Sequence, residues 1–332
     1  MKLKFAMIGC RGHSGSYVFG GIRNGASVEL TAVAGGGDDP KGLNSTAEKY
    51  GFKPAVYDDW EKMLAEVKPD LVCIDGPFER HAEMAEGALR NGCHVFCEKP
   101  IALTLEELDR LEAVWRESGK HIRSMVGLRY DPAFLYAFRL VQAGTVGKIK
   151  LIRTQKSYKL GQRRDFYKKR ATYGGTIPWV GSHAVDWLLY YTGERFEQVT
   201  ACHDTEDNCG HGELEITGHC LFRMSGGIIA DAGVDYLRPA SAPTHGDDRV
   251  RIAGTRGIIE VMEGKVHVID PDGDRIIAPP AADRDVFSDF TAELTTGRRA
   301  LVSDEETFAL TRAVLLARES ADTGKTLCFK EA

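Results

Sequence analysis

The first 125 residues alternate between short apolar runs and stretches in which apolar positions recur at helical spacing. The runs end at turns rich in glycine, proline or acidic residues, and Thr104-x-x-Glu107 opens one helical stretch with the spacing of a capping box. Strands that alternate with helices in this way predict a doubly wound parallel sheet. The predicted strands are Leu3–Ile8, Val28–Ala34, Asp70–Asp75, His94–Cys97 and Ile122–Leu128.

The pattern changes beyond Lys148, where polar and apolar residues alternate with a period of two over longer runs. This pattern predicts a second domain of the α+β type with a large open, mostly antiparallel sheet. Ser303-x-x-Glu306 then opens a final helix, residues 304–323, which could pack back on the first domain. We therefore expect an α/β chain divided into residues 1–125 and 126–332. The predicted strands of the second part are Lys148–Thr154, Glu213–Arg223, Gly227–Val234, Val266–Ile269 and a hairpin within Val250–Val261.

A glycine-rich turn, Gly9-Cys10-Arg11-Gly12-His13-Ser14-Gly15, joins the first strand to the first helix. This order is what a dinucleotide-binding (Rossmann) domain requires, because backbone N–H groups at a helix N-terminus can face a pyrophosphate. The spacing G-x-x-G-x-x-G is one residue longer than the usual fingerprint, and such turns also serve packing alone. The second strand ends at Gly35-Gly36-Gly37, where an NAD-binding domain usually has an acid, and Asp38 follows. We expect NAD, with NADP possible through Arg11 and Lys41.

Composition and charge narrow the class of protein. The chain has 332 residues, of which 43% are apolar and 27% are charged, and this fits two globular domains. A net charge of −5 gives no electrostatic basis for binding nucleic acid or an anionic membrane, and we find no apolar run long enough to span one. The first residues lack a signal-peptide pattern and the eight scattered cysteines suit free thiols, so we expect a cytoplasmic protein.

The predicted strand His94–Cys97 runs directly into Glu98-Lys99-Pro100. Proline cannot continue a central strand, so Lys99 is expected at the carboxyl edge of the sheet, where ligands bind in open parallel sheets. A lysine at that place could handle a proton or hold a substrate, because burial shifts its pKa readily. The alternative is an exposed Glu–Lys pair at the end of a strand.

A second candidate site follows the glycine pair Gly174-Gly175, which leads into a helix. His183 and Asp186 are three residues apart on this helix and share a face. A carboxylate beside an imidazole would suit acid–base work on a hydroxyl group. The alternative is a histidine at a helix start with a solvated aspartate.

Two further clusters of residues are candidates for binding an anionic ligand or a metal ion. The segment Lys156–Arg170 has seven basic residues and one acid with aromatic residues between them, and an anionic substrate, a partner subunit and a solvated loop all stay open as explanations. Cysteine and histidine crowd between Cys202 and Cys220, but their spacing fits no compact zinc finger. His219 and Cys220 would point to opposite faces of a strand, so we expect no metal site.

Together these motifs resemble the Gfo/Idh/MocA family of oxidoreductases over nearly the whole chain. The Glu-Lys-Pro motif after a predicted strand is the most specific part of the resemblance. The matching segments are the glycine turn, Pro77 with His81, Gly92–Pro100, Arg129–Pro132, the stretch from Gly174 to Asp186, and the Val250–Val261 hairpin.

The resemblance implies hydride transfer between NAD(P) and a hydroxyl-bearing carbon of a sugar, polyol or related cyclic compound. Lys99 would hold the reacting oxygen and His183 would exchange the hydroxyl proton. The resemblance also implies a homo-oligomer, a dimer or tetramer, formed through the large sheet. Many family members have an aspartate four residues before the histidine, whereas this chain has Trp179, which could be an apolar platform for a sugar.

Two alternatives stay open because of this departure. One is a hydrolase or lyase that uses bound NAD for transient oxidation of a glycoside. The other is a non-enzymatic, nucleotide-binding regulator.

The candidate residues form three overlapping sets. The expected catalytic residues are Lys99, His183 and Asp186. The expected cofactor-binding residues are Gly9, Arg11, Gly12, His13, Ser14, Gly15, Asp38, Pro77, His81, Glu98 and Lys99. The expected substrate-binding residues are Lys99, Arg129, Tyr158, Trp179, His183, Tyr236 and His245.

Overall fold

The computed structural model describes residues 2–329, which form two compact units. The first unit contains the residues up to Gly127 together with Asp283–Thr311. The second contains Leu128–Ala282 together with the residues from Arg312 onward.

The first unit is built on a parallel sheet, as the sequence predicts. Its six strands are β1 (Leu3–Ile8), β2 (Val28–Ala34), β3 (Ala55–Tyr57), β4 (Leu71–Ile74), β5 (His94–Cys97) and β6 (Ile122–Ser124). Their order is β3-β2-β1-β4-β5-β6, with every neighbouring pair parallel. The strand order therefore reverses between β1 and β4, and in open α/β sheets such a point is where ligands bind, outside the carboxyl ends of the strands.

Five helices connect these strands, and the third and fifth of them begin at side-chain caps. The helices are α1 (Ser14–Arg23), α2 (Lys41–Lys49), α3 (Trp60–Val67), α4 (His81–Arg90) and α5 (Leu105–Ser118). Asp59 caps α3 by accepting from the N–H groups of Glu61 and Lys62, and Thr104 and Glu107 form the predicted capping box of α5.

The second unit contains a nine-stranded sheet that is antiparallel except for one pair, as predicted. The sheet order is β14-β13-β12-β11-β7-β10-β9-β8-β15, and only β7 and β10 run parallel. The strands are β7 (Ile149–Tyr158), β8 (Phe196–Asp204), β9 (Thr217–Met224), β10 (Ile228–Asp235), β11 (Gly246–Gly254), β12 (Ile258–Met262), β13 (Lys265–Asp270), β14 (Gly273–Ile277) and β15 (Leu327–Cys328).

One face of this sheet is covered by helix and the other is open. The helices of the second unit are α6 (Pro132–Gln142), α7 (Arg170–Tyr173), α8 (Thr176–Trp179) and α9 (Gly181–Thr192). Helix α9 lies against β7 and β10, and buried and exposed residues alternate strictly along β9. The open face carries apolar side chains that are 38–68% exposed, namely Leu221, Ile229, Met262, Ile269 and Ile276.

Two helices lie between β14 and β15 in the chain, α10 (Val286–Thr296) and α11 (Asp304–Thr323). Helix α10 belongs to the first unit, where Phe287 packs 5.9 Å from Phe5 and 5.4 Å from Phe96 between ring centroids. Ser303 and Glu306 exchange hydrogen bonds at the start of α11, as their spacing predicts. Helix α11 is divided between the two units at Thr311. None of the helices in residues 2–329 is long and apolar enough to cross a membrane.

Several predicted bounds were wrong. Strand β6 ends at Ser124 and not at Leu128, because the chain turns there into a short 3₁₀ helix, Gly127–Tyr130. Strand β7 continues to Tyr158 because Lys156 and Tyr158 pair with Asp248 and Gly246 of β11. Lys156 is thus a strand residue, and the loop predicted to begin there begins after Tyr158.

Candidate active site

The glycine turn after β1 is folded tightly against the turn after β4. Gly9 has φ +76°, and a Cβ atom on it would lie 2.3 Å from Cα of Gly76. Only glycine therefore fits at this position. The arrangement brings the start of α1 to the carboxyl edge of β1 and β4, as a dinucleotide-binding domain requires.

The backbone N–H groups of this turn point at two carboxylates. Gly12 and Ser14 donate to Oδ1 and Oδ2 of Asp75, at 2.7 and 3.0 Å. His13 donates its backbone N–H to Oε2 of Glu98 at 2.6 Å, and its Nδ1 lies 2.7 Å from the same oxygen. Asp75 and Glu98 are both fully buried. The sequence pointed to Glu98 but not to Asp75, which looked like the last residue of a strand.

Asp38, which follows β2, forms an ion pair with Arg11 of the glycine turn. The guanidinium donates from Nε and from a terminal nitrogen to the two carboxylate oxygens of Asp38, at 2.6 and 2.7 Å. The Asp38 carboxylate, 37% exposed, follows the Gly35-Gly36-Gly37 turn at the end of β2, where a ribose-binding acid is expected. The pair therefore joins the candidate ribose contact to the candidate phosphate contact.

Lys99 is buried directly after β5, so the alternative of an exposed Glu–Lys pair was wrong. Its residue exposure is 2%, and its backbone N–H donates to Oε1 of Glu98 at 2.8 Å. Because Oε2 of the same carboxylate binds His13, Glu98 links the lysine segment to the glycine turn. Burial opposes ionisation of Glu98, but His13 and Lys99 together lower its pKa below the ordinary value.

His81 and Pro77 shape the neighbouring turn. The ring of His81 is fully buried, with Nδ1 2.9 Å from the carbonyl oxygen of Pro100 and Nε2 3.2 Å from that of Gly76. Burial lowers the pKa of His81. Pro77 lies close to Gly37, where a Cβ atom would approach the proline ring to 3.2 Å. The side chains of His81 and Pro77 therefore both lie against the backbone of the turns around the candidate cofactor site.

In the second unit, His183 is buried in the first turn of α9, and Asp186 follows it on the same helix. Arg129 binds Asp186 from two nitrogens, with Nε 2.8 Å from Oδ2 and a terminal nitrogen 2.7 Å from Oδ1. All three side chains are at most 2% exposed. The alternative of a solvated aspartate was wrong, because Asp186 is one half of a buried, bidentate ion pair.

The glycine approach to α9 is fixed by a residue that the sequence analysis missed, Glu215. Its Oε2 accepts from the backbone N–H of Thr176 at 2.8 Å, and its carbonyl oxygen accepts from the Thr176 hydroxyl at 2.7 Å. Arg170 lies 2.6 Å from Oε1 of the same buried carboxylate. The strand predicted to start at Glu213 starts only at Thr217, so Glu215 lies in the irregular segment before β9, where the alternating pattern gave no sign of its role.

Three predicted substrate residues of the second unit, Tyr158, Tyr236 and His245, lie in one cluster of aromatic side chains. The ring of Tyr158 lies 4.9 Å from that of His245 and 6.4 Å from that of Tyr236. The Tyr236 hydroxyl lies 3.1 Å from that of Tyr173, which contacts the Thr176 hydroxyl at 3.0 Å. Burial raises the pKa of Tyr236 to about 12.

Trp179 and Lys156 are both buried in this region. Trp179 meets the edge of Tyr167 at 6.3 Å between ring centroids. The ammonium of Lys156 lies 2.5 Å from Oδ2 of Asp248 and 4.7 Å above the Tyr158 ring, and burial lowers its pKa. Lys156, which begins the basic segment, is therefore a strand residue whose charge is paired with a carboxylate inside the unit, and it does not belong to a solvated loop.

The cysteines and histidines between Cys202 and Cys220 do not converge. His203 points to Glu215 and Asp322, whereas His219 points to Asp231. No group of three or more candidate metal ligands occurs within residues 2–329.

Comparison with known proteins gives two family matches. Residues 3–126 match the model of an oxidoreductase family with an NAD-binding Rossmann fold, and residues 134–260 match the GFO/IDH/MocA C-terminal domain. A solved structure described as an oxidoreductase from Thermotoga maritima is 41% identical, with a TM-score of 0.92 over 98% of this chain and 100% of that one. The chain belongs to the GFO/IDH/MocA oxidoreductase family.

Two curated relatives are less identical to this chain than that solved structure is. A D-xylose 1-dehydrogenase (NADP(+)) from Haloferax volcanii is 26% identical over 96% of this chain and 98% of its own. A myo-inositol 2-dehydrogenase from Thermotoga maritima is also 26% identical, over 70% of this chain and 69% of its own.

These matches confirm the predicted enzyme class, an NAD(P)-dependent oxidoreductase, and the predicted NAD-binding Rossmann domain. The turn at the start of α1 and the acid after β2 fit a dinucleotide in type and place. One feature is at odds with this fit: carboxylates already accept from the N–H groups of Gly12, His13 and Ser14.

Proposed function

We propose that this family member transfers a hydride between NAD(P) and a hydroxyl-bearing carbon of a sugar or polyol. The observation that carries the proposal is the link between Lys99 and the cofactor turn. Glu98 binds the backbone of Lys99 with one carboxylate oxygen and the backbone of His13 with the other. One buried carboxylate thus connects the segment that carries the candidate proton-handling group with the candidate cofactor turn.

The proposed roles follow from the chemistry of each group. NAD(P), when bound, supplies the hydride acceptor or donor. Lys99 favours the developing alkoxide through its positive charge, and His183 accepts or returns the hydroxyl proton. Arg129 and Asp186 act as positioning residues, since their ion pair fixes the helix that carries His183.

Two features support a sugar or polyol as the substrate class. The curated relatives named above are dehydrogenases of D-xylose and myo-inositol. Tyr158, His245 and Tyr236 offer aromatic rings together with polar atoms, which suits the apolar faces and hydroxyl groups of a sugar.

The test is reduction of NAD and NADP by purified protein with D-xylose, myo-inositol and other aldoses and cyclitols as probes. Sustained formation of reduced cofactor with at least one probe would support the proposal. If products form while the cofactor stays oxidised, a hydrolase or lyase with transient oxidation explains the site better.

We also propose that copies of the chain associate through the open face of the nine-stranded sheet. The exposed apolar side chains Leu221, Ile229 and Ile276 motivate this, because such a patch is unusual on a monomer. Light scattering on the wild type and on Leu221→Lys would test it. A wild-type monomer would contradict it.

A further inference from the structure

The cofactor turn presents its N–H groups to anions that belong to the protein itself. Gly12 and Ser14 donate to Asp75, and His13 donates to Glu98 between them. At the start of a helix, N–H groups of this kind form the usual cradle for a dinucleotide pyrophosphate. Two buried carboxylates therefore stand where a phosphate acceptor is expected.

Gly12 shows how closely the carboxylates approach the turn. A Cβ atom on this residue would lie 2.4 Å from Oε2 of Glu98 and 2.8 Å from Oδ1 of Asp75. Both distances are too short for any side chain. A side chain at the second glycine of the turn would therefore displace the carboxylates from their present positions.

The two acids are in different electrostatic surroundings. Burial and the neighbouring charge of Glu98 raise the pKa of Asp75 to about 7, although the N–H donors oppose this. Glu98 remains ionised beside His13 and Lys99. The titratable and charged groups on the elements around Asp75 are Arg11 and His13 on the turn, Cys73 on β4, Glu79 and His81 after it, and Cys97, Glu98 and Lys99 at the end of β5.

We propose that Asp75 takes up a proton when a dinucleotide binds at this turn, so that cofactor affinity depends on pH through this side chain. A pyrophosphate placed against an ionised Asp75 would be repelled in a site of low dielectric. A protonated Asp75 has no charge and gains an O–H donor that a phosphate oxygen can accept. The inference rests on the proposed function only in requiring that NAD(P) binds.

The direction of the pH dependence follows from the linkage between proton binding and cofactor binding. The complex binds more protons than the free protein, so affinity is greatest below the pKa of Asp75 in the free protein. As the pH rises above about 7, the dissociation constant increases by up to about tenfold per pH unit, until the pKa of the complex is reached.

The experiment measures NADH binding by nicotinamide fluorescence from about pH 6 to about pH 9, with wild type and Asp75→Asn. Asparagine keeps the shape and one acceptor but cannot titrate. We expect the dissociation constant of the wild type to rise above neutral pH and that of Asp75→Asn to stay nearly constant. Calorimetry at pH 7 in two buffers of different ionisation enthalpy counts the protons, and we expect uptake by the wild type.

Two variants distinguish proton uptake by Asp75 from proton uptake by neighbouring groups. Asp70→Asn changes an acid of the same unit that binds the backbone of Lys4 away from the turn, and it should keep the wild-type pH dependence. His13→Gln removes the other titratable group on Glu98. If His13→Gln and not Asp75→Asn abolishes proton uptake, the assignment to Asp75 is overturned.

The wild-type calorimetry needs no variant, so it can overturn the inference even if Asp75→Asn does not fold. Tight NADH binding without proton uptake would overturn this inference and leave the proposed function intact. Absence of NADH and NADPH binding at every pH would instead remove the proposed function.

Discussion

The guanidinium of Arg129 binds both carboxylate oxygens of Asp186, three residues along the helix from His183. Both side chains are almost completely buried. A buried ion pair of this geometry fixes the orientation of its partners, because loss of either one leaves an uncompensated charge. The pair therefore explains how the first turn of α9 is held in place.

Removal of one charge from this pair should destabilise the second unit. We expect Asp186→Asn to lower the free energy of unfolding by about 3–5 kcal/mol, since Arg129 would remain buried without its counter-ion. Denaturant titration followed by circular dichroism measures this. Asp165→Asn, in an ion pair whose aspartate is 94% exposed, should change it by less than about 1 kcal/mol.

The double variant Arg129→Met/Asp186→Leu distinguishes stability from function. An apolar pair of similar volume should recover most of the lost stability. Turnover should stay low, because nothing then orients His183 through the ion pair. Recovery of both stability and full turnover would show that Arg129 and Asp186 serve only the fold.

Lys99 and His183 should each matter for the chemical step. We expect Lys99→Ala and His183→Ala to lower kcat by about 10²–10⁴-fold, the usual contribution of a positioned acid or base. Lys49→Ala and His219→Ala, which change exposed side chains, should leave kcat unchanged. Unchanged turnover in both site variants would remove these residues from the mechanism.

Asp38 should set the preference between the two cofactors. In Asp38→Ala the ribose loses its candidate acceptor, while Arg11 loses its ion pair with Asp38 and no carboxylate at this position repels a 2′-phosphate. We expect the ratio of the dissociation constants of NADPH and NADH to fall by about tenfold or more, roughly one charge-assisted contact. Glu29→Ala, which changes an exposed acid near the opposite end of β2, should leave the ratio as it is.

His121 should contribute stability that depends on pH. Its Nδ1 lies 2.8 Å from Asp304, and this hydrogen bond raises the pKa of His121 above its ordinary value. The contribution is fully present below the unfolded pKa, about 6.5, and disappears as the pH rises through the folded value. The difference in unfolding midpoint between wild type and His121→Gln should therefore be larger at about pH 5.5 than at about pH 8. A difference that widens at high pH would contradict this.

Much of the fold could be predicted from local patterns. The strands β1, β2 and β5 follow from periodicity, and the caps at Thr104 and Ser303 follow from short-range hydrogen bonding. Strand β3 and helix α10 were missed. Strand β3 has three residues, too few for a periodic signal, whereas α10 begins with a capping box formed by Asp285 and Ser288 in place of the usual Ser/Thr and Glu/Gln pair.

The candidate site was only partly predictable, because its key contacts join residues far apart in the chain. Lys99 and His183 stood out through motifs, but the pairing of Arg129 with Asp186 and that of Asp75 with the glycine turn did not. Asp75 is separated from Gly12 by 63 residues, and Glu215 from Thr176 by 39. No spacing rule connects such positions, so their role became visible only when the sheets were assembled.

The most direct test of hydride transfer is the mass of the recovered cofactor after turnover with C-deuterated D-xylose and C-deuterated myo-inositol. If a carbon-bound hydride passes to NAD(P), the reduced cofactor should carry one deuterium and should accumulate in equal amount with the oxidised product. If products form while the cofactor remains oxidised and free of deuterium, the account of this enzyme as a net dehydrogenase is contradicted.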